Sequence, residues 1–285
     1  MPIIDETLFV NLSAREALNP PSAGVEPNRA QISWCVMIKD ADANTQAHTH
    51  VHLSREKRSK VLEWIAKVHG RMELNTEVLW LAVDIFHRFI SSGGGATISA
   101  YHTGLTSLWL AAKVEGQHQH RYRLRHFARH IDDRGRTRRR MIREEAQILA
   151  VLQFRLSAYV PPTFWVQRIS AARGYEPFTL RIALILVDTT VPEPCFATWR
   201  PKELASIAVL VACKMWCRTN REWSEAHVRV CGFQTSELLE GANLLLQYLR
   251  SENYKSSWMY RKYSSEEHHH LGDYVRSWAL ENAEI

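Results

Sequence analysis

The apolar residues of this chain recur, segment after segment, at the spacing of one helix face. In 55–70, Val61, Leu62, Ile65 and Val68 stand at i, i+1, i+4 and i+7; in 76–90, Val78, Leu81, Ala82, Ile85 and Phe89 stand at i, i+3, i+4, i+7 and i+11. That is the period of an amphipathic helix and not the alternation of a strand. Asn75 and Thr76 are suited to cap the second of these segments. Residues 98–115 constrain the fold more. Leu105, Leu108, Trp109 and Ala112 line one face, and the opposite face also lacks charge. A helix that is apolar all round is a central one, enclosed by others. A polar stretch at 121–137 follows. Residues 138–154 then show helical spacing through Ile142, Ile148, Leu149 and Leu152, and Pro161-Pro162 ends the block.

The same order recurs in the second half, in 163–173, 178–190, 201–218, 223–231 and 235–251. Ala111-Ala112-Lys113 is matched by Ala212-Cys213-Lys214 at a shift of 101 residues, and Trp64 by Trp165 at the same shift. In both halves an apolar helix ends in a lone lysine. The expected fold class is all-α, with two tandem five-helix domains; the length of 285 residues and a hydrophobic content of 46% suffice for two cores. Residues 1–27, with Asn19-Pro20-Pro21-Ser22-Ala23-Gly24, are expected to be a flexible leader. The spacing of Ile32, Val36 and either Cys35 or Lys39 predicts a short helix over 28–39, followed by a loop at 40–52. The first domain, with that helix, is assigned to 28–158, the second to 159–265, and a polar tail to 266–285.

Several function classes fall away. The longest stretch without Asp, Glu, Lys or Arg runs from Phe89 to Ala112, but Ser91, Ser92 and Gly93 to Gly95 interrupt it, so no membrane span is expected. There is no phosphate-binding loop of the P-loop type, no GxSxG and no HExxH. The chain is therefore not expected to be an enzyme or to carry a cofactor. His48, His50 and His52 alternate, as do His118 and His120, but no Cys or carboxylate joins them at zinc-site spacing, so no metal is expected either. Cys35, Cys195, Cys213, Cys217 and Cys231 form no CxxC pair, which suits free thiols in a reducing compartment. A location in nucleus and cytoplasm is the expectation.

The net charge of +6 is concentrated in one place. Residues 121–143 hold ten Arg and two Asp, a local +8, which leaves the rest of the chain at −2. Nucleic acid is thus an improbable partner for the surface as a whole, and the question narrows to this segment. Arg138, Arg139 and Arg140 are its candidate anion contacts; a solvated basic face is the plainer reading. Only Tyr122 and Phe127 interleave it, too few for a base-stacking platform.

The sharpest pair is Lys113 and Glu145. Lys113 closes the apolar helix, and Glu145 opens the apolar part of the next long one. A lysine there must pair internally, reach water along its stem, or meet a partner.

At this point the residues resemble a cyclin. The resemblance is carried by Lys57-Arg58-Ser59-Lys60-Val61-Leu62-Glu63-Trp64, by Leu81-Ala82-Val83-Asp84-Ile85-Phe86-His87-Arg88-Phe89, by Leu108-Trp109-Leu110-Ala111-Ala112-Lys113-Val114-Glu115, and by Met141-Ile142-Arg143-Glu144-Glu145 running to Leu152-Gln153-Phe154. Trp223-Ser224-Glu225, Gly232-Phe233 and Tyr260-Arg261-Lys262-Tyr263 are similar to the C-terminal box of mitotic A/B-type cyclins. The likeness spans about residues 30–265. It implies two five-helix cyclin folds and a regulatory subunit that activates a cyclin-dependent serine/threonine protein kinase. It also implies that Lys113 and Glu145 contact that kinase beside its regulatory helix; Glu145, not Glu144, keeps the family spacing to Phe154.

The chain departs from the family's pattern in places. The Asp that pairs with the Arg matched by Arg58 is replaced by His87, and Asp84, one turn earlier, is the candidate substitute. At the family's substrate-docking patch stand Lys57, Lys60 and Val61, with Trp64 retained, so docking of an apolar peptide is expected to be weak or absent. Arg15-Glu16-Ala17-Leu18 fits the minimal RxxL degradation signal of mitotic cyclins. Two alternatives use the same double fold: a basal transcription factor of the IIB type, with 121–143 contacting nucleic acid or phosphate, and a cyclin-like transcription adaptor. No N-terminal CxxC ribbon supports the former.

Overall fold

The computed structural model describes residues 53–92, 99–115, 123–131, 136–156, 159–172, 174, 176–216, 223–282 and 284–285. The expected leader and the helix expected over 28–39 lie outside them, as do the RxxL sequence, Gly93 to Gly95 and the alternating histidines. Among the described residues there are thirteen α-helices and no β-strand.

The first repeat consists of α1 (Arg55–Arg71), α2 (Thr76–Ser91), α3 (Ala100–Glu115), α4 (Leu124–Ala128) and α5 (Arg136–Val151). Its central element is α3, on which only Tyr101, Lys113, Val114 and Glu115 escape burial. α2, α1, α5 and α4 all pack around it. Leu105, Leu108, Ala111 and Ala112 are fully buried there, and each buried leucine contributes about 1.5–3 kcal/mol. Gly104 lets α1 cross closely, since a Cβ at that position would lie 2.7 Å from Ile65 Cδ1.

The second repeat is α6 (Pro162–Ala171), α7 (Pro177–Thr189), α8 (Pro201–Trp216), α9 (Glu225–Cys231) and α10 (Thr235–Arg250). α8 begins and ends 101 residues after α3, and α7 and α9 begin 101 residues after α2 and α4, so the shift found in the sequence is the register of the fold. The starts follow local chemistry. Pro162 occupies the first turn of α6 and Pro177 that of α7, where no amide hydrogen is needed. Gly232 ends α9 in the left-handed conformation at φ 82°.

Residues 266–285 are not a polar tail. α11 (Glu252–Ser256), α12 (Trp258–Tyr263) and α13 (Leu271–Glu281) follow the second repeat. Leu271, Val275 and Ala279, at i, i+4 and i+8, are buried against the body of the protein, with α13 packed on α10 and α12. Arg250 Nε donates to Ala279 O at 2.7 Å, and Tyr260 OH donates to Asp273 Oδ1 at 2.6 Å. An apolar stripe one residue wide, set among polar neighbours, is easily mistaken for a solvated segment.

The repeats are joined at Asp188, the last turn of α7. It is 3% exposed, accepts from Trp80 Nε1 of α2 at 3.0 Å, and accepts from Tyr263 OH of α12 at 2.5 Å. Burial raises its pKa, against the pull of Lys262 and of the two hydrogen bonds. Nearby, Glu63 of α1 accepts the backbone amide of Trp258. Asp188→Ala strands the Trp80 and Tyr263 donors and is expected to cost about 2–4 kcal/mol, read from the urea denaturation midpoint; Asp188→Asn, which keeps an acceptor, is expected to cost less.

Candidate functional site

α5 lies along α3 and is fastened to it from the inside by Glu144, which is 2% exposed. Thr106 Oγ1 donates to Glu144 at 2.8 Å, and Arg140 Nε donates at 3.1 Å. The buried stripe of α5 is Thr137, Met141, Glu144 and Ile148. Ile142, which the sequence pattern counts with the apolar face, instead points to solvent at 53% exposure.

That stripe turns the neighbouring residue, Glu145, outward. Lys113 Nζ donates to Glu145 Oε1 and stands 3.8 Å above the centre of the Trp109 ring. The two charged side chains are 35% and 22% exposed. A pair so placed contributes about 0–1 kcal/mol to the fold. Exposed apolar side chains occur on the same two helices and just beyond them: Val114 beside Lys113, Ile142 one turn before Glu145, Val151 at the end of α5, and Phe154 at 73% exposure. Phe154 is held out by two consecutive left-handed residues, Gln153 and Phe154 (φ 51° and 57°), and its amide donates to Leu149 O at 2.9 Å. Non-glycine residues seldom adopt that conformation, and functional sites concentrate such strain. Sequence reasoning singled out Lys113 and Glu145 but missed the exposure of Ile142 and Phe154, because periodicity alone cannot say which apolar residue of a helix faces out.

The other expected residues lie elsewhere. Asp84 does not take the place of the Asp that would face Arg58: its Oδ2 accepts from Arg88 Nη1 at 3.0 Å, one turn along the same helix, and its Oδ1 has no hydrogen-bond partner. Spacing of i, i+4 serves Arg88. Burial raises the Asp84 carboxyl to about 6. Arg58 is 8% exposed and lies near His87, which burial, and then the Arg58 charge, push down to about 3. Asp84, His87, Tyr159 and Trp199 line a small pocket between the repeats. Trp64 is half-buried and meets Tyr101 edge-on at 5.4 Å. Val61 belongs to the core, and Lys60 pairs with Glu56 at 2.5 Å on the exposed side of α1. Of the three candidate anion contacts, Arg140 is engaged by Glu144, while Arg138 and Arg139 are exposed. Among the described residues there is no group of three His, Cys, Asp or Glu side chains placed for a metal, and no helix long and apolar enough to cross a membrane.

Comparison with known proteins decides the family. The model of the cyclin N-terminal domain matches residues 34–157, and that of the cyclin C-terminal domain matches residues 160–276. The chain belongs to the cyclin family. It is a divergent cyclin: it is 28% identical over 221 residues to G2/mitotic-specific cyclin-3 of Saccharomyces cerevisiae, covering 78% of this chain and 50% of that one. It is 26% identical over 246 residues to G2/mitotic-specific cyclin cdc13 of Schizosaccharomyces pombe, covering 86% and 50%. This cyclin thus spans about half the length of the curated relatives it matches. The X-ray structure of a viral cyclin from herpesvirus saimiri shares the fold, with a TM-score of 0.56 at 15% identity over 96% of this chain and 100% of that one.

Two buried histidines make stability pH-dependent. His69, whose Nε2 lies 2.8 Å from Asn75 O, is lowered to about 4 by burial, and His87 to about 3. Both folded values lie below that of a free histidine, so this stability is complete above pH 6.5 and is lost as pH falls through the folded values. Asp84 acts in the opposite sense: its raised value gives stability at low pH that is lost as pH rises from 3.8 toward 6. The net expectation is a loss of about 3 kcal/mol between pH ~7.5 and pH ~5, measured by chemical denaturation, and a loss of less than about 1 kcal/mol in His87→Asn, where only His69 remains to oppose Asp84.

Proposed function

We propose that this cyclin binds and activates a cyclin-dependent serine/threonine protein kinase in cell-cycle control, in nucleus and cytoplasm, and contributes no catalytic group itself. The observation that carries the reading is the surfaced Lys113–Glu145 pair, which links α3 to α5, with Phe154 exposed just past the end of α5. Because the pair contributes little to the fold, its placement is better accounted for by a partner. Phe154 offers a single aromatic anchor of the kind that dominates interface energetics, and the charged pair supplies direction at its centre. An interface on the order of 2,000 Å² fits a stable signalling pair.

The mechanism is a population shift. A kinase of this class is inactive while its regulatory helix is displaced and its phosphate-orienting Lys–Glu pair is broken. A rigid helical surface that binds only the assembled arrangement raises the share of that arrangement by its difference in affinity. In this cyclin the rigidity comes from α3 and from the Glu144 clamp.

Affinity purification followed by a histone kinase assay tests the reading. Lys113→Ala with Glu145→Ala is expected to abolish co-purifying kinase activity while the helical circular dichroism signal stays unchanged, and Phe154→Ala to weaken kinase binding by about tenfold with a stability change within about 0.5 kcal/mol. Purified chain with no kinase attached, or unfolding of the double variant, would overturn it. A second expectation concerns substrate docking. Where Trp64 of α1 meets Tyr101 of α3, α1 also carries the exposed Lys57 and the exposed Lys60–Glu56 pair, which an apolar peptide would have to desolvate. Titration with such a docking peptide is expected to show no binding in the low-micromolar range.

A further inference from the structure

The first two turns of α5 present a second surface of different chemistry. Arg136, Arg139 and Arg143 stand at i, i+3 and i+7 and are exposed, and Arg138 is exposed next to them. None of the four has an ion-pair partner among the described residues; in this helix only Arg140 does, through Glu144. The first turn of α5 holds no acidic residue, so the cations crowd the positive end of the helix dipole and repel one another along one face. Both features favour an anion at this face.

α4, packed against α5, enlarges the patch. Arg123, Arg125 and Arg129 are exposed there, and Arg125 Nε lies 3.1 Å from His126 Nε2. Desolvation, and then the charges of all three, lower the pKa of His126; desolvation, and then Arg71 from the end of α1, lower that of His130. Exposed guanidinium groups therefore stand on both of two helices that pack together, α4 and the N-terminal half of α5.

Three observations narrow the occupant. First, residues 121–143 contain ten arginines and no lysine. The planar guanidinium fork suits two-point contact with a phosphate, whereas a lysine serves as a point charge. Second, the chain outside this segment sums to −2, so a long polyanion leaving the patch would meet no further attraction. Third, the aromatic residue of α4, Phe127, is fully buried and unavailable for stacking on bases.

We propose that the arginine surface of α4 and the N-terminal half of α5 is a docking site for a short phosphorylated segment of a protein partner. This goes beyond the kinase-binding reading and does not depend on it, because the site is tested on the isolated full chain. The probe is a fluorescently labelled peptide carrying two phosphoserines, compared with its unphosphorylated form and with a short DNA duplex at physiological salt, by anisotropy. The phosphopeptide is expected to bind at least about tenfold more tightly than the other two. Arg136→Ala with Arg139→Ala and Arg143→Ala is expected to remove that preference, and the corresponding triple lysine variant to recover only part of it, with the helical signal unchanged since all three side chains are exposed. Equal binding of the phosphorylated and plain peptides, tighter binding of the duplex, or full binding by the triple alanine variant would each overturn the proposal.

Discussion

A helix without a polar face has no stable place in water except inside other helices, and this chain contains two of them. α3 and α8 are buried on nearly every side, and each gathers its repeat around itself. The outer helices need only one apolar stripe apiece, which is what their sequences provide. The two centres occupy the same register 101 residues apart, so the double fold follows from one demand made twice.

The repeats have diverged where they meet. The position of His87 in the first repeat corresponds, at the same shift, to Asp188 in the second. Asp188 collects hydrogen bonds from α2 and α12 and ties the halves together; His87 remains neutral beside Arg58 and faces the pocket between them. An aspartate in one half and a histidine in the other give a single register two uses, one in joining the domains and one in making stability respond to acid.

Much of this was legible in the residues. The helices, their order, the repeat and the Lys113–Glu145 pair all follow from apolar spacing and from the resemblance that the motifs carry. The misses have physical causes. Periodicity finds a stripe but cannot choose between adjacent apolar residues, so Ile142 was counted with the core. α13 buries one narrow stripe, Leu271, Val275 and Ala279 with Gly272, too little for a window over polar residues to reveal. Asp84 was matched with Arg58 by shared face alone, whereas the nearer i+4 neighbour, Arg88, holds it. The identity of a buried carboxylate's partner is set in three dimensions.

The outward-held ring of Phe154 has a further consequence. Its position is set by backbone conformation and not by burial, since Gln153 and Phe154 both sit in the left-handed region. Changing the ring therefore leaves the core untouched, while a substitution that cannot hold that backbone shape would redirect the chain as it leaves α5.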